Sequence, residues 1–193
     1  MRIAVVGWGS LIWCNKALGL ASKWHRDGPE LPVEFARKSG DGRLTLVLVH
    51  GVPTQRTLWG LSAFEDLEKA REDLQKREGN AHTPIGSWTP NEPREGVIVG
   101  TVAAWCEAHG LDGAVWTALK PNWTKDTQPP TPEEAIDYLV RLKRTQDLKN
   151  VLKAAEEYLR LTPSQINTEI RKLARQQLGW EDTPLPSNLF EAQ

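Results

Sequence analysis

Two stretches of this 193-residue chain carry residue types that could do chemistry. The first is GWGSL, Gly7 to Leu11, which follows an apolar run and combines two glycines with a serine. The second is Glu78, which stands directly before Gly79 at the end of a segment rich in helix-forming residues. A glycine-containing turn can offer backbone amides to an anion, and a carboxylate can transfer protons.

The GWGSL stretch does not match the common glycine-rich or serine motifs. A dinucleotide-binding fingerprint needs a third glycine where Ile12 stands. A phosphate loop needs Gly-Lys-Ser or Gly-Lys-Thr, and no lysine follows before Lys16. A nucleophile elbow needs glycines two residues before and after the serine, and Trp8 and Ile12 hold those places. Ser10 is therefore a poor candidate nucleophile.

The remaining interpretation of GWGSL is a strand-end turn that presents its amides. Glycine adopts positive φ without strain, so Gly9 could bring the amides of Gly9, Ser10 and Leu11 into a concavity for an anionic oxygen. Such a concavity suits a carboxylate or a developing oxyanion. The alternative is an ordinary tight turn with Trp8 in the core.

Glu78 extends an apolar helical stripe rather than lying opposite it. Leu74 and Glu78 are four residues apart and therefore share one face of a helix, with Phe64 and Leu67 earlier on the stripe. Burial and the negative end of the helix dipole both raise the expected pKa of Glu78, which suits a general acid/base. The alternative is a Glu78 that is solvated or paired with Arg77.

The elements that position these residues follow from periodicity and turn signals. Apolar and β-branched runs predict strands over residues 2–6, 33–37, 43–49, 57–61 and 114–119, with a hairpin turn at Asp41-Gly42. A capping box of Ser62 and Glu65 predicts a helix that ends at Glu78. Residues 80–95 are predicted to be a loop that could act as a lid, and residues 97–109 a helix.

The C-terminal part is predicted to be helical. Thr131 followed by Pro132 predicts a helix start, and Thr162 followed by Pro163 predicts a second one. The residues from Thr183 onward are expected to pack loosely or to be disordered. Because strands precede residue 120 and helices follow residue 130, the fold class is α+β.

Composition narrows the function classes. Lys and Arg number 24 against 25 Asp and Glu, so the net charge of -1 gives no bulk attraction to nucleic acid or an anionic membrane. Gly7 and Gly9 interrupt the apolar N-terminal run, which predicts a cytoplasmic protein without a secretory leader. Cys14 and Cys106 are expected to be buried free thiols, and the four histidines lack metal-site spacing. We therefore expect neither a metal nor a cofactor.

Trp8-Gly9-Ser10-Leu11 after the first strand, followed by Arg77-Glu78-Gly79 at a helix end, resembles the γ-glutamylcyclotransferase-like superfamily. The stretches VEFARKSGDGRLTLVLV and LWGLSAFEDLEKA are similar to its second and third strands and to the strand before its helix. The resemblance implies a small mixed β-barrel flanked by helices over residues 1–130. A C-terminal helical extension packed on the same domain would span 131–182, and a tail 183–193.

The resemblance also implies an activity. Members of this superfamily cyclise γ-glutamyl compounds. The α-amine of the substrate attacks its own γ-carbonyl, and the products are 5-oxoproline and an amine, amino acid or peptide. By this resemblance Glu78 is the acid/base, and Gly7, Trp8, Gly9, Ser10 and Leu11 form the substrate-binding turn. Trp8 replaces the family's usual tyrosine, so substrate choice is expected to differ.

Two other functions and the role of the C-terminal helices stay open at this point. The site formed by the GWGSL turn and Glu78 could belong to a non-catalytic binding or regulatory module. Alternatively, the fold could catalyse another amide or acyl transfer to which Ser10 or Arg43 contributes. The C-terminal helices could cap the barrel, pair two subunits as a homodimer or bind a partner.

Overall fold

The computed structural model of the protein describes residues 1–15, 17–79, 82–124 and 128–192. Its strands are β1 (Ile3–Gly7), β2 (Glu30–Leu31), β3 (Val33–Lys38), β4 (Leu44–Leu48), β5 (Gln55–Arg56), β6 (Leu58–Leu61), β7 (Ile85–Trp88) and β8 (Gly113–Thr117). Its α-helices are α1 (Leu67–Glu78), α2 (Val97–Ala108), α3 (Pro132–Arg144), α4 (Lys149–Leu161) and α5 (Glu169–Leu178), with short 3-10 helices at Gln146–Leu148 and Ser187–Leu189. The α+β class predicted from the sequence is confirmed.

Some sequence-based predictions fall outside the described residues. They concern Lys16, the first two residues of the predicted loop at 80–95, residues 125–127 and the last residue of the tail.

The described chain forms two compact units, and neither is continuous in sequence. The first comprises Met1–Leu31, Arg56–Leu119 and Pro186–Gln193, and it contains α1 and α2. The second comprises Pro32–Gln55 and Lys120–Leu185, and it contains α3, α4 and α5. The division predicted at residues 130 and 182 stays a prediction.

The largest sheet lies in the first unit and has the strand order β6-β1-β8-β7. Strand β1 runs antiparallel to β6 and parallel to β8, and Val5 stands between Gly60 and Val115. The residues from Ile3 to Val6 are at most 1 % exposed. The apolar run at the start of the chain is thus a central strand covered on both faces.

The second unit is built on the β3–β4 hairpin. Phe35 pairs with Leu46 in its antiparallel ladder, and Gly42 takes the positive φ of 84° at its turn. Helix α4 packs on β4, and α5 packs on β3. The Tyr158 ring of α4 meets Phe35 edge-on, with 6.0 Å between ring centroids. The hairpin predicted from Asp41-Gly42 is confirmed.

A closed barrel is not confirmed. Besides the four-stranded sheet, the strands of the described residues form two separate two-stranded sheets, β2 with β5 and β3 with β4. Strands β6 and β7 end the larger sheet and do not pair with each other, so this sheet stays open.

Helix α1 begins later than predicted. Its N-cap is Asp66, whose carboxylate accepts a hydrogen bond from the Lys69 amide at 3.0 Å. The predicted capping box of Ser62 and Glu65 is wrong, because the Ser62 hydroxyl accepts from the Phe64 amide at 3.1 Å in a local turn. The predicted end at Glu78 is confirmed.

The segment predicted as a loop at 80–95 contains strand β7, which pairs with β8. Its local pattern is weak, since Gly86 interrupts it. Glycine is needed there because a Cβ would lie 2.4 Å from the Trp116 indole. Trp88 is 1 % exposed, so tertiary burial stabilises a strand that periodicity does not reveal.

The predicted helix start at Thr162 is also wrong. Thr162 ends α4, and α5 begins after the N-cap Thr168. The intervening carbonyls are taken by the buried Arg171 guanidinium, which donates to the carbonyls of Thr162, Pro163 and Ile166. The Thr131 capping box at the start of α3 is confirmed.

The end of the chain is ordered against the first unit rather than loosely packed. The Trp24 amide donates to the Leu189 carbonyl at 2.9 Å, and the Glu191 amide donates to the Trp24 carbonyl at 3.0 Å. Phe190 is 6 % exposed, with the Arg26 guanidinium 3.9 Å from its ring centroid. An aromatic anchor and two backbone hydrogen bonds explain why the tail is held.

Candidate functional site

The GWGSL stretch ends β1 and continues as a helical turn. The Ile12 amide donates to the Gly9 carbonyl at 2.9 Å, and the Cys14 amide donates to the Ser10 carbonyl at 2.8 Å. Gly9 is not among the described glycines with positive φ, so the expected positive φ at Gly9 is wrong. The backbone turns by local i to i+3 and i to i+4 hydrogen bonds, which do not require a left-handed residue.

The apolar side chains of this turn point into the core. Trp8 and Leu11 are each 6 % exposed, and Ile12 is fully buried. Gly7 is closely packed, because a Cβ there would lie 3.0 Å from Leu11 Cδ2 and 3.1 Å from Ile12 Cδ1, and these side chains would have to shift to admit it. A contact of Trp8 with substrate stays a prediction.

Arg77 joins this turn to the end of α1. Its side chain is 7 % exposed. Arg77 Nη2 donates to the Cys14 carbonyl at 2.6 Å and to Ser10 Oγ at 3.3 Å. Arg77 Nη1 donates to Glu78 Oε1 at 2.7 Å. One buried guanidinium therefore binds both stretches that the sequence singles out.

Glu78 lies in the last turn of α1, and its side chain is 17 % exposed. Gly79 ends the helix in the left-handed region, with its amide donating to the Lys76 carbonyl at 3.0 Å. The inward orientation predicted from the Leu74 spacing agrees with this low exposure. The pairing with Arg77, one of the two alternatives left open by the sequence, is confirmed.

Sequence reasoning missed the position of Arg77. Its neighbours in space are 63 to 67 residues earlier in the chain, and no local spacing connects them. The available signal was a cation directly before the candidate acid. A guanidinium is planar and carries several N–H donors, so it can hold a carboxylate, a hydroxyl and a carbonyl at once.

A second cluster of titratable and aromatic side chains, also missed, lies in the first unit. Trp59 stacks on His25 at 4.2 Å between ring centroids, and its indole donates to Asp27 Oδ1 at 2.9 Å. His109 Nε2 lies 3.4 Å from Asp27 Oδ2, and the Trp105 indole donates to the Asp27 carbonyl at 2.8 Å. These contacts tie the end of α2 to the segment around Asp27.

The pKa of Asp27 reflects opposing effects. Burial alone would raise it, but the hydrogen bond from the Trp59 indole and the contacts with its own backbone amide and His109 outweigh burial. The pKa of Asp27 is therefore below its ordinary value of 3.8. The interactions with the Trp59 indole and the His109 imidazole favour the ionised form of the Asp27 carboxyl group.

The two cysteines differ in their surroundings. Cys106 is buried, and burial raises the pKa of its thiol to about 12. Cys14 is exposed, so the prediction of two buried thiols is wrong at this position. Cys14 lies at the end of the turn, and its carbonyl faces Arg77.

Helix α1 and the segment before β7 line a cavity of about 360 Å³. Its walls are Glu68, Arg71, Glu72, Gln75, His82, Thr83, Pro84 and Ile85. The Gln75 amide donates to the Thr83 carbonyl at 3.1 Å across it. This cavity lies on α1 residues other than Arg77 and Glu78, so it is distinct from the Arg77 cluster.

No protein-family model, curated protein or solved structure matches this chain. Within the described residues, none of the helices has the length and apolar character needed to cross a membrane. The same residues contain no group of three or more His, Cys, Asp or Glu side chains arranged to hold a metal ion. The assignment of a function therefore rests on the residues of the site.

Proposed function

We propose that this protein is a cyclotransferase that converts a small γ-glutamyl amine or peptide to 5-oxoproline and the released amine. The observation that carries the proposal is the shared guanidinium, since Arg77 donates both to Glu78 Oε1 and to Ser10 Oγ of the strand-end turn. The candidate proton-transfer group and the candidate binding turn thus belong to one hydrogen-bonded cluster. The small mixed barrel implied by the family resemblance is part of this proposal.

The reaction needs a proton acceptor, a proton donor and support for an oxyanion. In the proposed mechanism, the carboxylate of Glu78 accepts a proton from the substrate's α-ammonium group, and the free amine attacks the γ-carbonyl carbon. The new C–N bond closes the five-membered ring, and the oxygen carries negative charge in the tetrahedral intermediate. Glu78 returns its proton to the leaving nitrogen as the original amide C–N bond breaks and the carbonyl re-forms. The ring nitrogen still carries one proton too many, which the Glu78 carboxylate accepts and passes to the released amine, so that 5-oxoproline forms and the amine leaves as an ammonium ion.

The surroundings of Glu78 supply the remaining requirements. In the proposal, the amides of Gly9, Ser10 and Leu11 stabilise the oxyanion or hold the substrate's α-carboxylate, because the Arg77 guanidinium already donates to Glu78, Ser10 and the Cys14 carbonyl. The nucleophile belongs to the substrate itself, so catalysis depends on holding the substrate folded rather than on a protein nucleophile. This agrees with the poor match of Ser10 to nucleophile motifs.

The proposal is tested by incubating the protein with a panel of γ-glutamyl amines, amino acids and peptides and measuring 5-oxoproline. We expect turnover of at least one compound, and Glu78→Gln should lower kcat by about 10²- to 10⁴-fold because it removes the proton shuttle. Glu65→Gln is the matched control, since the Glu65 side chain is 90 % exposed. No product from any compound, or full activity in Glu78→Gln, would rule the proposal out.

A second candidate function is a non-catalytic module that binds γ-glutamyl compounds. The ion pair itself favours it, because the Glu78 carboxylate is already bound to a guanidinium 2.7 Å away. A binding module predicts saturable binding of a γ-glutamyl compound without 5-oxoproline formation, measured by calorimetry. It also predicts that Glu78→Gln keeps its affinity within about threefold, since both side chains can accept a hydrogen bond from Arg77.

A further inference from the structure

The contacts of Arg77 point to a role beyond charge neutralisation. We infer that Arg77 is a positioning residue, which fixes the Glu78 carboxylate relative to the strand-end turn and keeps it ready to accept a proton. This inference rests on the proposed function, because positioning has a meaning only if Glu78 transfers protons. It assigns a role in the reaction to a residue that the sequence analysis named only as part of the Arg77-Glu78-Gly79 stretch and as a possible partner of Glu78.

The first support is the number and direction of the contacts. Arg77 Nη1 is committed to Glu78, whereas Nη2 is committed to the Cys14 carbonyl at 2.6 Å and to Ser10 at 3.3 Å. The two nitrogens belong to one rigid plane, so movement of the turn is passed to the carboxylate through that plane. A lysine carries a single nitrogen and cannot hold these partners in the same geometry.

The second support is burial. The Arg77 side chain is 7 % exposed, and its buried Nε donates to no partner within the described residues. A buried cation is costly unless its charge is balanced nearby, and Glu78 provides the balance. Arg77 and Glu78 are consecutive in sequence, so the end of α1 delivers both halves of the ion pair to the turn.

A contrasting arginine on the same helix shows what an ordinary surface pair is like. Arg71 Nη1 lies 3.1 Å from Glu68 Oε1, with the two side chains 39 % and 69 % exposed. This pair bridges one turn of α1 at its exposed surface. Arg71 is therefore a matched control, because it has the same residue type, the same helix and the same kind of partner.

The inference predicts separate effects of geometry and charge. Arg77→Lys keeps the positive charge but loses the two planar nitrogens of the guanidinium. We expect kcat to fall by about 10- to 100-fold, with KM changed less than about threefold. Arg77→Ala also removes the cation. We expect its kcat to fall at least as far as that of Arg77→Lys, because the carboxylate then loses both the hydrogen bond and the charge of Arg77. Millimolar guanidinium ion should restore part of the kcat of Arg77→Ala.

The experiment compares wild type, Arg77→Lys, Arg77→Ala, Ser10→Ala and Arg71→Lys, with folding checked by circular dichroism. Ser10→Ala removes one contact of Nη2 and should lower kcat about two- to fivefold, since a single hydrogen bond contributes modestly. Arg71→Lys should match the wild type. A merely structural role for Arg77 would give neither a fall in kcat at a nearly unchanged KM nor the rescue by guanidinium ion.

The outcomes distinguish the inference from the proposed function. A folded wild type without turnover overturns both. An active wild type whose Arg77→Lys variant keeps its kcat overturns the inference alone, and so does an Arg77→Ala variant whose kcat is not raised by guanidinium ion. If the Arg77 variants fail to fold, an unchanged kcat in Ser10→Ala also overturns it, because the contact between Arg77 and the Ser10 side chain of the strand-end turn then has no effect on turnover.

Discussion

The chemical properties of the Glu78 and Asp27 carboxylates depend on the groups that donate hydrogen bonds to them rather than on their positions in the sequence. Glu78 meets a guanidinium, and Asp27 meets an indole and an imidazole. Neither carboxylate has a donor three or four residues away in a helix: Arg77 is adjacent to Glu78, and the side-chain donors of Asp27 are remote in sequence. At the residue scale, the chemistry of each acid therefore follows from the tertiary contacts that surround it.

Asp27 gives a prediction for pH dependence. Its pKa is lowered in the folded protein, so its interactions stabilise the fold above pH 3.8 and are lost as the pH falls through the folded-state value. We expect Asp27→Asn to reduce the free energy of unfolding by less than about 1 kcal/mol at neutral pH, because Asp27 is largely solvent-exposed. Urea titrations at about pH 7 and about pH 3 measure this difference.

The difference between wild type and Asp27→Asn should decrease at the acidic pH, because protonation of the Asp27 carboxylate begins to remove its charge-dependent interactions. The control is Asp137→Asn, an exposed residue of α3, which should match the wild type at both pH values. A difference that persists unchanged in acid would show that Asp27 stabilises the fold through contacts that do not depend on its charge.

At the scale of elements, the termini of helices connect the fold to its polar groups. The end of α1 supplies Arg77 and Glu78 to the turn after β1, whereas the start of α5 is bound by a carboxylate from β3. Glu34 Oε2 accepts from the Glu169 amide at 3.2 Å, although the Glu34 residue is only 6 % exposed. A buried acid at a helix N-terminus satisfies amides that have no partner within the helix.

We expect Glu34 to give the folding stability a pH dependence opposite to that given by Asp27. Burial raises the pKa of Glu34 above 4.5, although hydrogen bonds from Thr168, Phe35 and the first amides of α5 oppose it. A raised pKa contributes stability that is fully present below pH 4.5 and is lost as the pH rises through the folded-state value. The wild type should therefore lose stability relative to Glu34→Gln as the pH rises from about 4.5 towards neutrality.

Chemical denaturation of the two proteins over this pH range measures the effect of Glu34. Glu169→Gln is a suitable control, because its side chain is exposed and only its amide contacts Glu34. Parallel stability curves for wild type and Glu34→Gln would contradict the prediction.

At the scale of the whole molecule, the chain crosses between its two units and returns to the first at its C-terminus. The segment Pro186–Gln193 belongs to the first unit, although it follows the helices of the second. Its anchor is the buried Phe190, beside Trp24 and beneath Arg26. The last residues are thus structural, and their removal should destabilise the unit that contains the candidate site.

Phe190→Ala tests this role of the C-terminus. We expect a loss of about 3 kcal/mol in the free energy of unfolding, because the substitution leaves a cavity and removes the ring contact with Arg26. Asn188→Ala, an exposed neighbour, is the control and should stay within about 0.5 kcal/mol of the wild type. A loss below about 1 kcal/mol for Phe190→Ala would mean that the tail contributes little.

The sequence alone determined the features that depend on neighbours a few residues apart. The buried strand β1, the β3–β4 hairpin, the capping box of α3 and the end of α1 at Glu78 all follow from local periodicity and turn chemistry. Predictions from local signals were wrong where a contact from outside the local segment determined the structure. The Arg171 guanidinium donates hydrogen bonds to the carbonyls that follow Thr162, and the burial of Trp88 stabilises β7.

The tertiary structure decided which groups meet. The sequence placed Glu78 on an inward face and the GWGSL turn after a strand, but only packing put Arg77 between them. The same holds for Asp27, whose partners Trp59 and His109 stand 32 and 82 positions further along the chain. Such contacts form because burying apolar surface brings remote segments together, and polar groups then pair to offset their desolvation.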